Sequence, residues 1–259
     1  MDFDGPIISL VSGPQIGLLC FILLFGAAVG GLALATDVPS RPSLRLTARL
    51  IRSGTTFVAV LAALMLTLLT FSLKTSFDQS TQDVRRFSIH LIELDHTLRR
   101  AGLPGEAVRE TLFRYTTRTI KDFWPKSHPN LRPEDTTSTA LLLHLEDQID
   151  TLSTPDSLVR IDSHRILHEA QSIRADLESR NGGTLSPWLL GFMLLWLMMT
   201  FCGLGMSAPR SPIAITALFL FAVAISGAVF LASEYDYPFD GVIIISTDPM
   251  DTALFAMTE

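Results

Sequence analysis

Four long stretches of this chain contain no ionisable side chain. Ile16 to Ala35, Thr56 to Leu73, Pro187 to Met206 and Ile213 to Leu231 hold no Asp, Glu, Lys, Arg or His. Charged residues make up only 18% of the 259 residues, against about 25% for a soluble domain. A helix needs about 20 apolar residues to cross the hydrocarbon core. The pattern therefore excludes a simple soluble enzyme and predicts four transmembrane spans. Proton-coupled carriers and pumps normally keep an ionisable residue inside the bilayer, so a passive protein fits better than a pump.

Other absences narrow the reading further. There are two cysteines, Cys20 and Cys202, both inside apolar stretches, so no disulfide framework is expected. The net charge of −6 gives no reason to expect a nucleic-acid partner. No glycine-rich phosphate loop, dinucleotide fingerprint or nucleophile elbow is present, so no enzyme and no cofactor are expected. The residues ahead of the first span are acidic, Asp2 and Asp4, and the span is too long for a signal-peptide core, so cleavage is not expected.

The spans pair into hairpins. Residues 1–73 form the first, with spans 16–35 and 56–73. Residues 185–231 form the second, with spans 187–206 and 213–231. Residues 74–184 lie between them, and 232–259 make an acidic tail. Arg41, Arg45, Arg49 and Arg52 lie between the first two spans, and Arg210 lies between the last two. Neither terminal segment has any Lys or Arg. The positive-inside rule then puts both termini and the middle domain on the periplasmic side of a bacterial inner membrane.

The middle segment carries 15 Lys or Arg and 17 Asp or Glu, and its apolar residues recur at helical spacing. One stripe is Val84, Phe87, Leu91, Leu94 and Leu98. The next is Val108, Leu112, Tyr115, Thr119 and Phe123. Leu142, Leu145, Ile149 and Leu152 follow, then Ile166, Ala170, Ile173 and Leu177. Breaks fall at Gly102 with Pro104, across Pro125 to Pro133, and at Pro155. No alternating run predicts a sheet. The fold class is all-α: an integral membrane protein of four transmembrane helices in two hairpins, with an antiparallel helical bundle inserted between the second and third spans. Thr55 to Ala101 has neither Pro nor Gly, so the second span is expected to continue into the bundle as one rod of roughly 70 Å. Gly182 and Gly183 make a joint on the return path. In the tail, Val242 to Ile245 is a short apolar run with strand or membrane-surface character. Asp248-Pro249 then predicts a short helix to about Met257 that docks on the bundle or on a neighbouring subunit.

Candidate site residues lie mainly on the second span. Thr56, Ala59, Ala63, Thr67, Thr70 and Lys74 step along one face as a stripe of small and hydroxyl side chains, with Lys74 at its mouth. Leu61, Leu64, Leu68 and Phe71 occupy another face. The stripe is either a pore lining or a close-packed helix interface. Gly26 and Gly30, with Ala27 and Gly31 beside them, form a small-xxx-small pattern that predicts helix packing in the first span. All six histidines are in the middle segment: His90, His96, His128, His144, His164 and His168. His164 and His168 share a helix face and are weak candidates for a metal, with Glu169 or His90 as further ligands, but no metal is expected.

Several stretches carry a family resemblance. The second span runs into Phe77-Asp78-Gln79. The second bundle helix carries Tyr115 and ends Asp122-Phe123-Trp124-Pro125. The last span leads to Pro238-Phe239-Asp240-Gly241 and then Ile245-Ser246 and Pro249. This order resembles the bestrophin-like family of bacterial membrane proteins. The resemblance implies kinship to bestrophins, which are pentameric, mostly anion-conducting channels lined by their second transmembrane helix. It also implies a cytoplasmic helical domain, opposite to the arginine count. Lys74-Thr75-Ser76-Phe77 stands where bestrophins carry an arginine-rich motif. The expected function is an oligomeric, passive ion channel with the second span lining the path. A non-conducting, membrane-anchored bundle that senses or binds a partner is the alternative. The expected partners are the lipid bilayer, further copies of the chain and inorganic ions.

Overall fold

The computed structural model describes residues 13–35, 44–125, 137–152, 157–181 and 187–258. Expectations placed on Asp2, Asp4, Arg41, His128, Pro133, Pro155, Gly182 and Gly183 lie outside the described residues. Among the described residues every regular element is a helix. In order these are α1 (Gly13–Leu34), α2 (Leu44–Arg100), α3 (Leu103–Phe123), α4 (Ser138–Asp150), α5 (Ser157–Asn181), α6 (Pro187–Ser207), α7 (Pro212–Asp236) and α8 (Asp248–Thr258). They divide into two compact units, residues 1–76 with 183–236 and residues 77–182 with 237–259. Helix α2 has 57 residues and belongs to both. It starts well before Thr56, so Arg45, Arg49 and Arg52 lie within a helix, not in a loop.

The first unit contains four helices long and apolar enough to cross a membrane, counting the α2 segment. Its interior is formed by Cys20, Leu24 and Ala28 of α1, Ala62 and Leu66 of α2, Phe201 of α6 and Ala222 of α7. Lipid offers helices no hydrophobic drive to associate, so close backbone approach and van der Waals packing must hold them. The approach is made where glycines meet carbonyls. A Cβ on Gly31 would overlap the Cys202 carbonyl, and one on Gly205 would overlap the Ala28 carbonyl, which joins α1 to α6. Phe21 and Phe25 stack at 5.8 Å and meet Phe219 edge-on at 5.4 and 5.7 Å, which joins α1 to α7. Leu18, Ile22, Phe192, Leu195 and Leu220 point outward, as lipid-facing residues do. The turn into α7 is capped by Ser211, whose Oγ accepts from the Ala214 N–H at 3.2 Å, with Pro212 opening the helix.

The second unit is a helical bundle of the α2 C-terminal half, α3, α4, α5 and α8. The α2 stripe Val84, Phe87, Leu91, Leu94 and Leu98 is buried throughout, as are Val108, Leu112, Tyr115, Thr119 and Phe123 of α3. On α4 the stripe turns by one residue: Leu141 is buried and Leu142 is half-buried. Gly102, at φ +70°, makes the corner between α2 and α3, and Gly105 lies so close to the Leu98 carbonyl that a Cβ would overlap it. Ion pairs Arg165–Glu93 (3.9 Å) and Arg180–Asp83 (3.6 Å) set α5 antiparallel to α2.

The segment after α7 folds into this second unit. Val242 to Ile245 forms no strand. Its last residue is buried, and the Ile245 carbonyl accepts from Trp124 Nε1 at 2.8 Å. Phe239 packs against Phe123 at 4.9 Å and edge-on to Trp124 at 5.0 Å. Helix α8 begins where Thr247 accepts from the Met250 and Asp251 N–H groups, so the capping residue is Thr247 and Asp248 is already helical. At its other end, Arg99 Nη2 donates to the Ala256 carbonyl at 2.8 Å and Arg109 Nη2 to the Met257 carbonyl at 3.2 Å. The segment is thus tied near both ends of α3.

Candidate functional site

Within the first unit α2 has three faces. Ala62 and Leu66 are buried against the other helices, with Leu69 half-buried beside them, and Leu73 is buried on the same face. Roughly opposite lie Phe57, Leu64, Leu68 and Phe71, all exposed. The small and hydroxyl stripe lies between these faces. Thr56, Ala63, Thr67 and Lys74 are exposed, and Ala59 and Thr70 are half-buried. The chain's own helices therefore leave most of the stripe uncovered.

The hydroxyls have a defined polarity. Thr56 Oγ1 donates to the Arg52 carbonyl (2.9 Å), Thr67 Oγ1 to the Ala63 carbonyl (2.8 Å) and Thr70 Oγ1 to the Leu66 carbonyl (2.8 Å). With the proton engaged on the helix, each oxygen turns lone pairs and a methyl group outward. Between Ser53 and Leu73 the face has no fixed charge. It is a surface water can wet without an ion being trapped.

The stripe is not uniform. Thr56 and Ala59 share a groove of about 450 Å³ with Arg52, the α6–α7 turn and the start of α7. Lys74 places its ammonium 5.8 Å from the centre of the Tyr235 ring on α7. Away from these two contacts lie Ala63 and Thr67, which are exposed and uncharged, and Thr70, which is half-buried. The glycines of the α1 pattern lie on two faces. An added Cβ on Gly26 or Gly30 meets nothing within 4 Å, and both residues are exposed. The close approach belongs to Gly31 of α1 and to Gly205 of α6. Small-residue spacing alone could not tell which glycines of the pattern pack against α6 within one copy.

The histidines are separated by their partners. His164 Nε2 lies 2.9 Å from Asp150 of α4, whereas His168 is exposed. His90 Nδ1 lies 3.5 Å from Glu93 and 3.7 Å from Glu169. Of the expected set the structure brings His90 to Glu169, but no group of three or more metal-type ligands exists among the described residues.

Two buried polar clusters in the second unit escaped sequence reasoning. Arg174, in the expected apolar stripe region of α5, donates from Nη1 to Tyr115 Oη (3.1 Å), from Nη2 to Ser138 Oγ (2.8 Å) and from Nε to Glu178 (2.8 Å). It thereby ties α3, α4 and α5 together. Burial pushes the Tyr115 phenol above its ordinary range, and Arg174 beside it only partly offsets the shift. Asp95 is similarly buried. Arg109 Nε donates to its Oδ1 at 2.7 Å and Arg99 Nε to its Oδ2 at 2.8 Å. These are the same two arginines that hold the end of α8. Charged residues inside helices read as surface in sequence, so neither cluster had a signal.

Comparison with known proteins supplies the remaining context. The Bestrophin-like domain matches residues 22–250. No curated protein matches the chain. Among solved structures, a bacterial bestrophin homologue from Klebsiella pneumoniae is similar with a TM-score of 0.67 at 14% identity, covering 93% of this chain and 96% of that one. A variant of that homologue gives 0.64 at 15% identity, covering 92% and 97%. A further membrane-protein variant gives 0.68 at 12% identity, covering 93% and 96%. At such identities these likenesses show the fold alone, and that fold is the all-helical one with four membrane-spanning helices found here. With the domain match extending over nearly the full length, the chain belongs to the Bestrophin-like family.

Proposed function

We propose that the protein is an oligomeric, passive ion channel rather than an enzyme, with α2 of each copy lining a shared path. The observation that carries this reading is the uncharged face of exposed Ala63 and Thr67 and half-buried Thr70 on a helix long and apolar enough to cross a membrane. A face of hydroxyl oxygens gives nothing to lipid but replaces part of an ion's hydration shell. Arranged around an axis, such faces make a wettable wall, with the methyl groups as a narrow apolar lining. Thr56 and Ala59 turn toward the groove beside Arg52, and Lys74 toward Tyr235, so the wall is shorter than the full stripe.

Substituted cysteines test the assignment of the wall. In a background with Cys20 and Cys202 replaced by Ala, a thiol reagent is expected to block flux through Thr67→Cys and to leave flux through Leu68→Cys unchanged. Block at Leu68→Cys alone would put the path on the opposite face.

The arginine count supports an inner-membrane orientation with the bundle and both termini in the periplasm. Ala175, exposed on α5, reports on this. Ala175→Cys should react with an impermeant reagent in intact cells with a permeabilised outer membrane. Protection until the inner membrane is lysed would place the bundle in the cytoplasm.

A further inference from the structure

The groove beside Arg52 is the strongest feature that the channel reading leaves unused. It lies within the first unit, between the start of α2, the α6–α7 turn and the first turns of α7, and has a volume of about 450 Å³. Ala59, Leu204, Ala214, Ala217, Leu218 and Phe221 line its length. The alanines give it depth, because longer side chains at those positions would fill it. Its size is in the range of small-molecule sites. The helices that form it are long and apolar enough to cross a membrane, so its occupant has to be compatible with hydrocarbon.

One end of the groove is different. Arg52 sits there, immediately before the uncharged run of α2, and Ser207 lines the same region. Arg210 belongs to the turn that closes this end. No Asp or Glu occurs among the described residues lining the groove. An arginine at the end of a membrane span lies at headgroup depth, where its guanidinium can form charge-assisted hydrogen bonds with a phosphate. The groove thus combines an apolar trough with a basic end and no acidic counter-charge.

We propose that this groove binds an anionic glycerophospholipid, with one acyl chain along Ala59, Ala217 and Phe221 and the phosphate on Arg52. The charge at the rim selects the headgroup, and the trough holds the chain. Binding does not depend on conduction, so failure of the channel reading leaves this site standing and the reverse also holds.

The test is lipid retention by the full chain, read by native mass spectrometry after delipidation and titration with phosphatidylglycerol or phosphatidylethanolamine. The wild type is expected to retain phosphatidylglycerol in preference. Arg52→Gln should lower that retention about tenfold while leaving the weaker phosphatidylethanolamine retention unchanged. Ala217→Phe, which fills the trough, should lower retention of both lipids. Arg52→Lys should recover part of the preference. Equal retention of the two lipids by the wild type would overturn the proposal. So would phosphatidylglycerol retention unaffected by both Arg52→Gln and Ala217→Phe, or efficient crosslinking between copies through Ala217→Cys, which would put a second copy in the groove. Variants are compared only if they elute as the wild type does. If Arg52→Gln does not fold, the wild-type preference and Ala217→Phe still decide the outcome.

Discussion

Arg174 shows how one residue can organise a bundle. Its guanidinium reaches Tyr115 on α3 and Ser138 at the start of α4, and it packs over the Tyr115 ring at 5.5 Å. Arg174→Met would leave the Tyr115 hydroxyl and Ser138 buried without this partner, and should cost about 3 kcal/mol of stability in a thermal melt of the whole chain in detergent. Tyr115→Phe removes only the hydroxyl and should cost about 1 kcal/mol. The same pair predicts a pH dependence. The folded state holds Tyr115 neutral because burial raises its pKa, whereas the unfolded chain ionises near the ordinary tyrosine value of 10.0. The contribution of Tyr115 is therefore complete below that value and is lost as pH rises from it through the raised value of the folded state. Melts compared across pH should show wild type and Tyr115→Phe separated by a constant gap up to about pH 9, narrowing above it. A constant gap through the alkaline range would mean that Tyr115 is not held neutral.

At the scale of the helices, the sequence was most legible where one physical pressure acted alone. Absence of charge marked the spans, and a period near 3.6 marked the buried stripes of α2 and α3. It was less legible where two pressures give the same pattern. Glycine in a membrane helix allows close approach but is tolerated on an open face too, so spacing did not show that Gly31 of the α1 pattern, with Gly205, makes the contact while Gly26 and Gly30 stay uncovered in one copy. Gly205→Val should therefore destabilise the α1–α6 pair by about 3 kcal/mol through overlap with the Ala28 carbonyl. Gly26→Ala and Gly30→Ala should change the melting behaviour by no more than about 0.5 kcal/mol. The reverse order would contradict the α1–α6 packing. The tail was legible as a helix but not in its anchorage, because its partners Trp124, Arg99 and Arg109 are more than 100 residues away in sequence. Asp95 orients both arginines, so Asp95→Asn should cost about 3 kcal/mol and speed protease cleavage between Ser246 and Thr258. Wild-type cleavage rates in that variant would show that α8 holds without the arginines.

For the whole molecule, the central question is what covers the α2 face that the chain leaves open. The chain belongs to the Bestrophin-like family and is similar in fold to a bacterial bestrophin homologue. The candidate stripe was legible in the sequence as six residues on one face, but in the structure its two ends have neighbours on other helices. Groove and ring contacts at its two ends depend on where α7 comes to lie, which residue spacing along α2 does not encode. The most direct measurement is ion flux through purified protein reconstituted in liposomes. A conducting α2 wall predicts flux down an imposed gradient that falls at least about tenfold in Thr67→Phe, where a ring fills the path, and remains at the wild-type level in Leu68→Phe. Liposomes that stay tight to every imposed gradient, with correctly folded and oligomeric protein present, would contradict it.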